Sequence, residues 1–503
     1  MSELQLVKTK DSTEQFSITT TPQEEKEDPY LVKFDGIDDK EDASRLSRLH
    51  KWTIVGIISI GSVCVTCISS SVALAMPHIM EHFHVSHEVA VLNISFFILG
   101  LGTGGCFLSP ISEFHGRRIV YIGGLATMIA FEFLTAFSNN IGGVIFGRFM
   151  SGFFGSSYMS VASGSFADLF KANKQAGKDA NKELTLAMVL YSVAPFLGPS
   201  LGSLISGFIN TSLDFRWTFY VFIIWSGVLL LAVILFVPET YEPINLRRKA
   251  RRLRKATGDD KYYAPIDKLE RNLFATVLTS CQRPMLLLFK DNMTALLNLY
   301  TGFTLAVVYL FFVAFPYIFS TVYNFSLSEQ GLSFLGLVVG MVSTCLISPY
   351  FIDKGYVALL KRNNGVGKPE FRFVPLCVGA FIVPAGLFII AWTSYPHVHW
   401  IAPIIGSAVY GSGTILVFNS IFAYTVEAYR LYAASAMATN SFTRSVMSCV
   451  FPLFGLQMYK GMGIQWATSL LAFFACILIP IPFLFFKYGE TLRSKSPYTW
   501  NVD

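Results

Sequence analysis

Long apolar runs broken by short polar turns repeat along nearly the whole chain. A helix needs about 20 apolar residues to cross a hydrocarbon core about 30 Å thick. Irregular backbone facing lipid would leave its amides without partners. Twelve runs satisfy the length: Trp52–Pro77, Ala90–Pro110, Ile119–Ser138, Ile141–Ala167, Leu184–Ile209, Trp217–Val237, Met293–Phe319, Gly331–Phe351, Phe371–Trp392, Trp400–Tyr424, Ala433–Met458 and Ile464–Phe486. The pattern predicts an all-α polytopic membrane protein of twelve transmembrane helices. The turn at Asn139–Asn140 is so tight that its two runs also read as one long helix.

Six runs lie on each side of a polar stretch, which predicts two six-helix bundles at 51–238 and 292–487 joined by a linker at 239–291. The linker carries Arg247, Arg248, Lys249, Arg251, Arg252, Arg254 and Lys255, a charge cluster that favours the cytoplasm. After Pro243 it reads as a helix along the inner leaflet or as a solvated connection. With that loop inside, both termini fall inside, as do Arg117–Arg118 and Lys361–Arg362. Residues 1–50 are polar and charged and predict a disordered cytoplasmic tail; 488–503 predict a second one. The opposite face is poor in Lys and Arg and carries two glycosylation sequons, at Asn210 and Asn324.

Composition agrees with the pattern. Charged residues make up 14% of the chain and hydrophobic ones 53%, against roughly 25% charged in an ordinary soluble protein. His82, His84 and His87 sit in a short outer loop with only Glu81 and Glu88 as nearby carboxylates, and no metal or cofactor is expected. No constellation for membrane-enzyme chemistry and no repeated pore loop stands out.

The chemistry then rests on polar and small residues placed in or beside the runs. Glu113, Arg117 and Arg118 share a short inner turn around Gly116. They predict a charge-assisted latch between two helices, with simple inside anchoring as the alternative. Glu132, inside the third run, is a proton carrier or a side chain that snorkels to water. Arg148, near the outer end of the fourth run, divides evenly between a functional role and anchoring by snorkelling. Asp168 ends that run on the inside, where coupling and helix-end charge balance explain it equally.

Pro195, Gly198, Pro199 and Gly202 stand a turn apart in pairs on the fifth run and predict a bent helix packed closely on a neighbour. In the second half, Tyr309, Phe315 and Tyr317 surround a second proline bend at Pro316. Asn440 and Arg444, four apart on the eleventh run, share a face. A buried arginine needs a cavity, water or a partner, and Asn440 is the candidate partner. With the aromatic residues, this group is the candidate substrate chamber.

Taken in order, these residues resemble the fungal drug:proton antiporters, a twelve-span branch of the major facilitator superfamily. The resemblance runs from about residue 50 to 490. The turn Ser112-Glu113-Phe114-His115-Gly116-Arg117-Arg118 is similar to the inner loop signature of that superfamily, with Ser109 where glycine is usual and Glu113 where aspartate is usual. Arg148–Gly155 resembles the fourth-span signature, which implies a proton-coupling role for Arg148. Pro195–Gly202 resembles the antiporter signature of the fifth span. Pro238-Glu239-Thr240-Tyr241-Glu242-Pro243, Phe315-Pro316, Glu427-Ala428-Tyr429 and Phe451-Pro452-Leu453-Phe454 are the branch-specific matches. The loop after Asp168 is longer than the family's compact turn, and Glu132 matches no signature.

The resemblance implies a major facilitator fold and proton-coupled export of small amphipathic or cationic compounds, polyamines included. The scarcity of obvious chamber acids leans toward apolar drugs. A facilitator or symporter for a small metabolite is the alternative, and a nontransporting sensor a more distant one. Expected partners are the substrate, protons and membrane lipids, with no nucleic acid and a functional monomer. The expected location is the plasma membrane, with the vacuolar membrane as the alternative.

Overall fold

The structure, a computed structural model, describes residues 28, 30–34, 42–171, 177–268, 273–363, 367–429, 432–494, 496 and 499. Most of the expected amino-terminal tail, part of the 171–182 loop and the last residues of the carboxyl-terminal tail lie outside them. The helices are α1 (Arg48–Ser70), α2 (Met76–Phe83), α3 (His87–His115), α4 (Arg117–Phe137), α5 (Ile141–Gly155), α6 (Ser157–Ser160), α7 (Ala162–Leu169), α8 (Gly177–Ser212) and α9 (Arg216–Phe236). There follow α10 (Glu242–Thr257), α11 (Leu273–Lys290), α12 (Asn292–Tyr323), α13 (Leu327–Ser333), α14 (Leu335–Arg362), α15 (Val374–Thr393), α16 (Ile401–Tyr429), α17 (Ala433–Met462), α18 (Ile464–Leu478) and α19 (Pro480–Ser494).

Among the described residues, ten helical segments are long and apolar enough to cross a membrane, where the apolar runs had predicted twelve. The two that differ do so for physical reasons. The fourth run breaks at Gly155 into α5, α6 and α7, and α5 alone is 15 residues long. The eleventh forms the unbroken 30-residue α17. It is long enough, but Thr439, Asn440, Thr443, Arg444 and Ser445 make it too polar. The last run also differs at its end, since helix continues through α19 to Ser494 and absorbs part of the expected tail.

Lipid-facing surface is evident on α9. Ile224, Val228, Leu231 and Leu235 repeat at helical spacing and are all exposed, an apolar stripe that only a bilayer would leave unpenalised. The other faces pack helix on helix: α1 on α8, α3 on α5, α12 on α17, and α15 and α14 on α16. Between the two halves of the chain, α3 lies along α17, and α8 lies against α13 and α14.

Close approach at the α1–α8 crossing depends on glycine. A Cβ on Gly202 would stand 2.1 Å from the Cys67 carbonyl oxygen, and one on Gly198 would stand 1.8 Å from Thr66 Oγ1. The Ser70 hydroxyl, from α1, donates to the Pro199 carbonyl.

The linker is more ordered than a solvated connection. Val32, Leu246, Ala250 and Ala264 form a small buried cluster on α10. Backbone bonds from Val32 to Tyr263 and from Tyr263 to Tyr30 tie residues of the expected tail to it. The helix α11, inside a stretch whose polar residues had predicted only linker, packs against both α3 and α17, and Thr439 Oγ1 donates to its Pro284 carbonyl at 3.0 Å.

Candidate functional site

Among the described residues, the most heavily buried charges are assembled around a broken helix. Ser69 and Ser71 donate their hydroxyls to the carbonyls of Thr66 and Ile68. Such back-bonding competes with the helical ladder, and α1 stops at Ser70. Carbonyls at a helix end lack their usual donors, and Arg148 takes them. Its Nη2 donates to Ile68 O at 2.7 Å and to Ser69 O at 3.2 Å, while Nε donates to Asn93 O at 3.1 Å. The Phe97 ring lies 4.4 Å from the guanidinium.

The remaining nitrogen, Nη1, stands 3.6 Å from Glu132 Oε1, and both side chains are 0% exposed. Neither oxygen of Glu132 accepts a hydrogen bond from the described residues. The two snorkelling alternatives therefore fail. Arg148 and Glu132 turn inward to each other because helix-end carbonyls and an opposite charge offer more than a distant interface.

The inner turn is also rewired. Arg117 Nε pairs with Asp168 at 3.4 Å, Nη1 donates to Ser112 Oγ at 2.6 Å, and the guanidinium lies 5.0 Å from the Tyr241 ring. Its backbone N–H, with that of Arg118, donates to the Glu239 carboxylate at 2.8 and 3.3 Å. A carboxylate at a helix N-terminus meets free N–H groups and the positive end of the dipole. Gly116, with φ of +99°, makes room for it: a Cβ there would lie 2.2 Å from Glu239 Oε2. Arg118 Nη2 donates to Ile234 O at 2.7 Å.

Glu113, expected to latch these arginines, makes no ion pair with either among the described residues. It sits on the far side of Gly116, at the end of α3, whereas Glu239 arrives from beyond α9. Asp168 is the acid that engages Arg117, and burial pushes its carboxyl up to about 6 against the pull of Arg117. Glu239 was visible as part of a motif, but nothing in the spacing said which helix it would cap. A comparable inner cluster in the second half was also missed. The Tyr429 hydroxyl donates to Asp291, the N-cap of α12, and Arg372 pairs with Glu427 at 3.1 Å.

In the second half, Asn440 does not serve Arg444. Its Nδ2 donates to Asn298 Oδ1 at 2.9 Å and to Thr301 Oγ1 at 2.7 Å, which fastens α17 to α12. Arg444 rests against the adjoining Phe418 and Phe422 rings, 5.3 and 5.4 Å from their centroids. Tyr309 reaches the first half, with its hydroxyl 3.1 Å from Ser69 Oγ. Phe315 is shut within a stack of Phe311, Phe319 and Phe334, so it backs the wall instead of facing a chamber. Tyr317 is half-buried against the same core.

The two sequons separate. Asn210 is 3% exposed and its Nδ2 is spent on Ser206 and Thr218, so the nitrogen a glycan needs is unreachable. Asn324 ends α12 in the left-handed region, with φ of +55°, and is exposed.

Comparison with known proteins decides the family. The sequence pattern of the Major Facilitator Superfamily matches residues 58–452. The chain belongs to that superfamily, within its fungal multidrug-efflux branch. A probable drug/proton antiporter of Saccharomyces cerevisiae, YHK8, is 48% identical over 92% of this chain and 89% of its own. The efflux pump atB of Aspergillus terreus is 40% identical over 94% and 90%. The multidrug transporter FLU1 of Candida albicans is 33% identical over 95% and 77%. Among solved structures, the human organic anion transporter MFSD10 superposes with a TM-score of 0.61 at 14% identity, covering 87% of this chain and 99% of that one. At that identity the likeness concerns the fold alone. The molecule is an all-α polytopic membrane transporter and not an enzyme.

Proposed function

We propose that this protein is a proton-driven exporter of small amphipathic compounds, working by alternating access as a multi-pass protein of the plasma membrane. Twelve spans in two six-helix bundles, 51–238 and 292–487, enclose a chamber that faces one compartment at a time. In this reading α5 with α7 supplies the fourth span and α17 the eleventh.

The buried Glu132–Arg148 pair carries the proposal. An acid that can hold its proton, or yield it to water admitted in another state and remain charged beside a cation, is the minimum a proton-coupled cycle requires. Glu132 is the proton carrier, and Arg148 ties its state to the broken end of α1, which also meets Tyr309 across the halves. Contacts that join the halves away from the basic loops support an outward-closed form. Gln457 Nε2 donates to Glu88 Oε1 at 2.6 Å, and Ser95 Oγ donates to the Cys449 carbonyl at 2.7 Å. At the basic end, Arg117–Asp168 stays within the first half and Arg493–Glu370 within the second.

Purified protein in liposomes with an imposed pH gradient tests this. Movement of an amphipathic probe against its own gradient, lost when the pH gradient is dissipated, is expected. Equilibration indifferent to pH would make the protein a facilitator.

A further inference from the structure

We infer that the chamber selects amphipathic organic anions, with Arg444 as the group that receives the carboxylate or other anionic head. This deepens the export reading given above and rests on it. The ground is an unpaired guanidinium that rests against a pair of touching aromatic rings, where helices from both halves of the transporter meet.

The charge is not compensated by protein. Among the described residues no carboxylate lies within ion-pair distance of Arg444, and its guanidinium makes no hydrogen bond; Nε is buried without a partner. The titratable side chains that bear on it, Tyr309 and Tyr191, are phenols. The Tyr191 hydroxyl is already committed to the Tyr158 carbonyl at 2.8 Å, and that of Tyr309 to Ser69. Asn440, the neighbour best placed along the helix, is bonded to α12. Contrast Arg148, whose three nitrogens meet three carbonyls and a glutamate. Arg148 has protein oxygens against all three nitrogens, and among the described residues Arg444 has none.

An arginine in the middle of a span is costly unless water or an anion completes it. The geometry also limits how an anion arrives. With Nε shut away, the side chain presents its terminal edge, Nη1 and Nη2, whose parallel donors match the two oxygens of a carboxylate. Phe418 and Phe422, which touch each other, support the guanidinium on one side. Phe196, from the first half, packs 4.7 Å from the Phe418 ring and extends the apolar wall across the seam. A ligand with an anionic head and an aromatic or alkyl body satisfies both parts. A cation would meet a like charge with no acid nearby to offset it.

Selecting anions has an electrical consequence. Exchanging one inward proton for one outward monoanion carries charge in the same sense twice, so an inside-negative potential assists export. Exchanging a proton for a monocation carries none.

The test uses two probes of one shape and opposite charge, 1-naphthylacetate and 1-naphthylmethylammonium, with the full-length wild-type protein. Binding is measured in detergent without a gradient, and pH-driven movement in liposomes at set membrane potentials. The expected result is a wild-type preference for the anion of at least about tenfold, falling toward unity in Arg444→Gln and to an intermediate value in Arg444→Lys. Thermal unfolding of each variant shows that it is folded. Preference for the ammonium, or an anion preference unmoved in folded Arg444→Gln, overturns the assignment. pH-driven movement of the ammonium alone overturns it while leaving proton-driven export standing. Anion binding with no response to the pH gradient does the reverse.

Discussion

Arg148 and Glu132 meet at 3.6 Å with neither side chain exposed, one from α5 and the other from α4. A pair this deep is held by what surrounds it, because the desolvation of two charges cancels much of their attraction. Here the surroundings are the carbonyls of Ile68, Ser69 and Asn93.

The two members should therefore fail differently. Glu132→Gln keeps shape and removes the proton, so it should fold and lose pH-driven accumulation while retaining downhill movement. Arg148→Ala strands three carbonyls and a carboxylate and should lower stability by about 3–5 kcal/mol, read as a fall in melting temperature. If Glu132→Gln still concentrates a probe against its gradient, another group carries the proton.

Close packing of α1 on α8 supplies a second prediction. Gly202→Ala would drive a methyl group into the Cys67 carbonyl, and backbone cannot move aside cheaply. Overpacking of this kind costs about 1–3 kcal/mol. Gly227→Ala, on α9 with open space around it, is the matched control and should be silent. Equal melting temperatures for the two variants would mean that the crossing is not as tight as it stands here.

Glycosylation separates the sequons. Expressed in a eukaryotic secretory membrane, wild-type protein and Asn210→Gln should migrate alike after enzymatic deglycosylation is compared with untreated samples. Any shift should vanish in Asn324→Gln. A glycan mapped to Asn210 would require the Ser206 and Thr218 bonds to open.

Such outcomes bear on what a sequence can convey. The apolar runs located the helices because a bilayer imposes a length that few other environments do. They also flagged Arg148, Glu132 and Arg444 as expensive. Partners were the illegible part. Glu132 and Arg148 are on separate helices, and only the break in α1 at Ser70 explains why Arg148 turns inward. Asn440 shares a helical face with Arg444, yet the better partners for it, Asn298 and Thr301, belong to a helix more than a hundred positions earlier in the chain. The acid facing Arg117 was likewise set by how α7 packs, and not by proximity along the turn that holds Glu113.

Asp168 makes the inner cluster sensitive to pH. Its ordinary value of 3.8 rises to about 6 because burial outweighs the favourable charge of Arg117. An acid with a raised value binds protons more readily in this arrangement than in one where the inner turn has opened and water reaches it. Acidification should then favour the closed turn, and that advantage should be lost as pH rises from about 4 to about 6, by at most about tenfold per unit. Hydrogen exchange of residues 112–120, corrected for intrinsic rates, would report the opening equilibrium. Protection greater at pH 5 than at pH 7, and independent of pH in Asp168→Asn, is expected. A pH response that survives in Asp168→Asn would assign the titration elsewhere, and one of opposite sign would mean that the Arg117 pair outweighs burial.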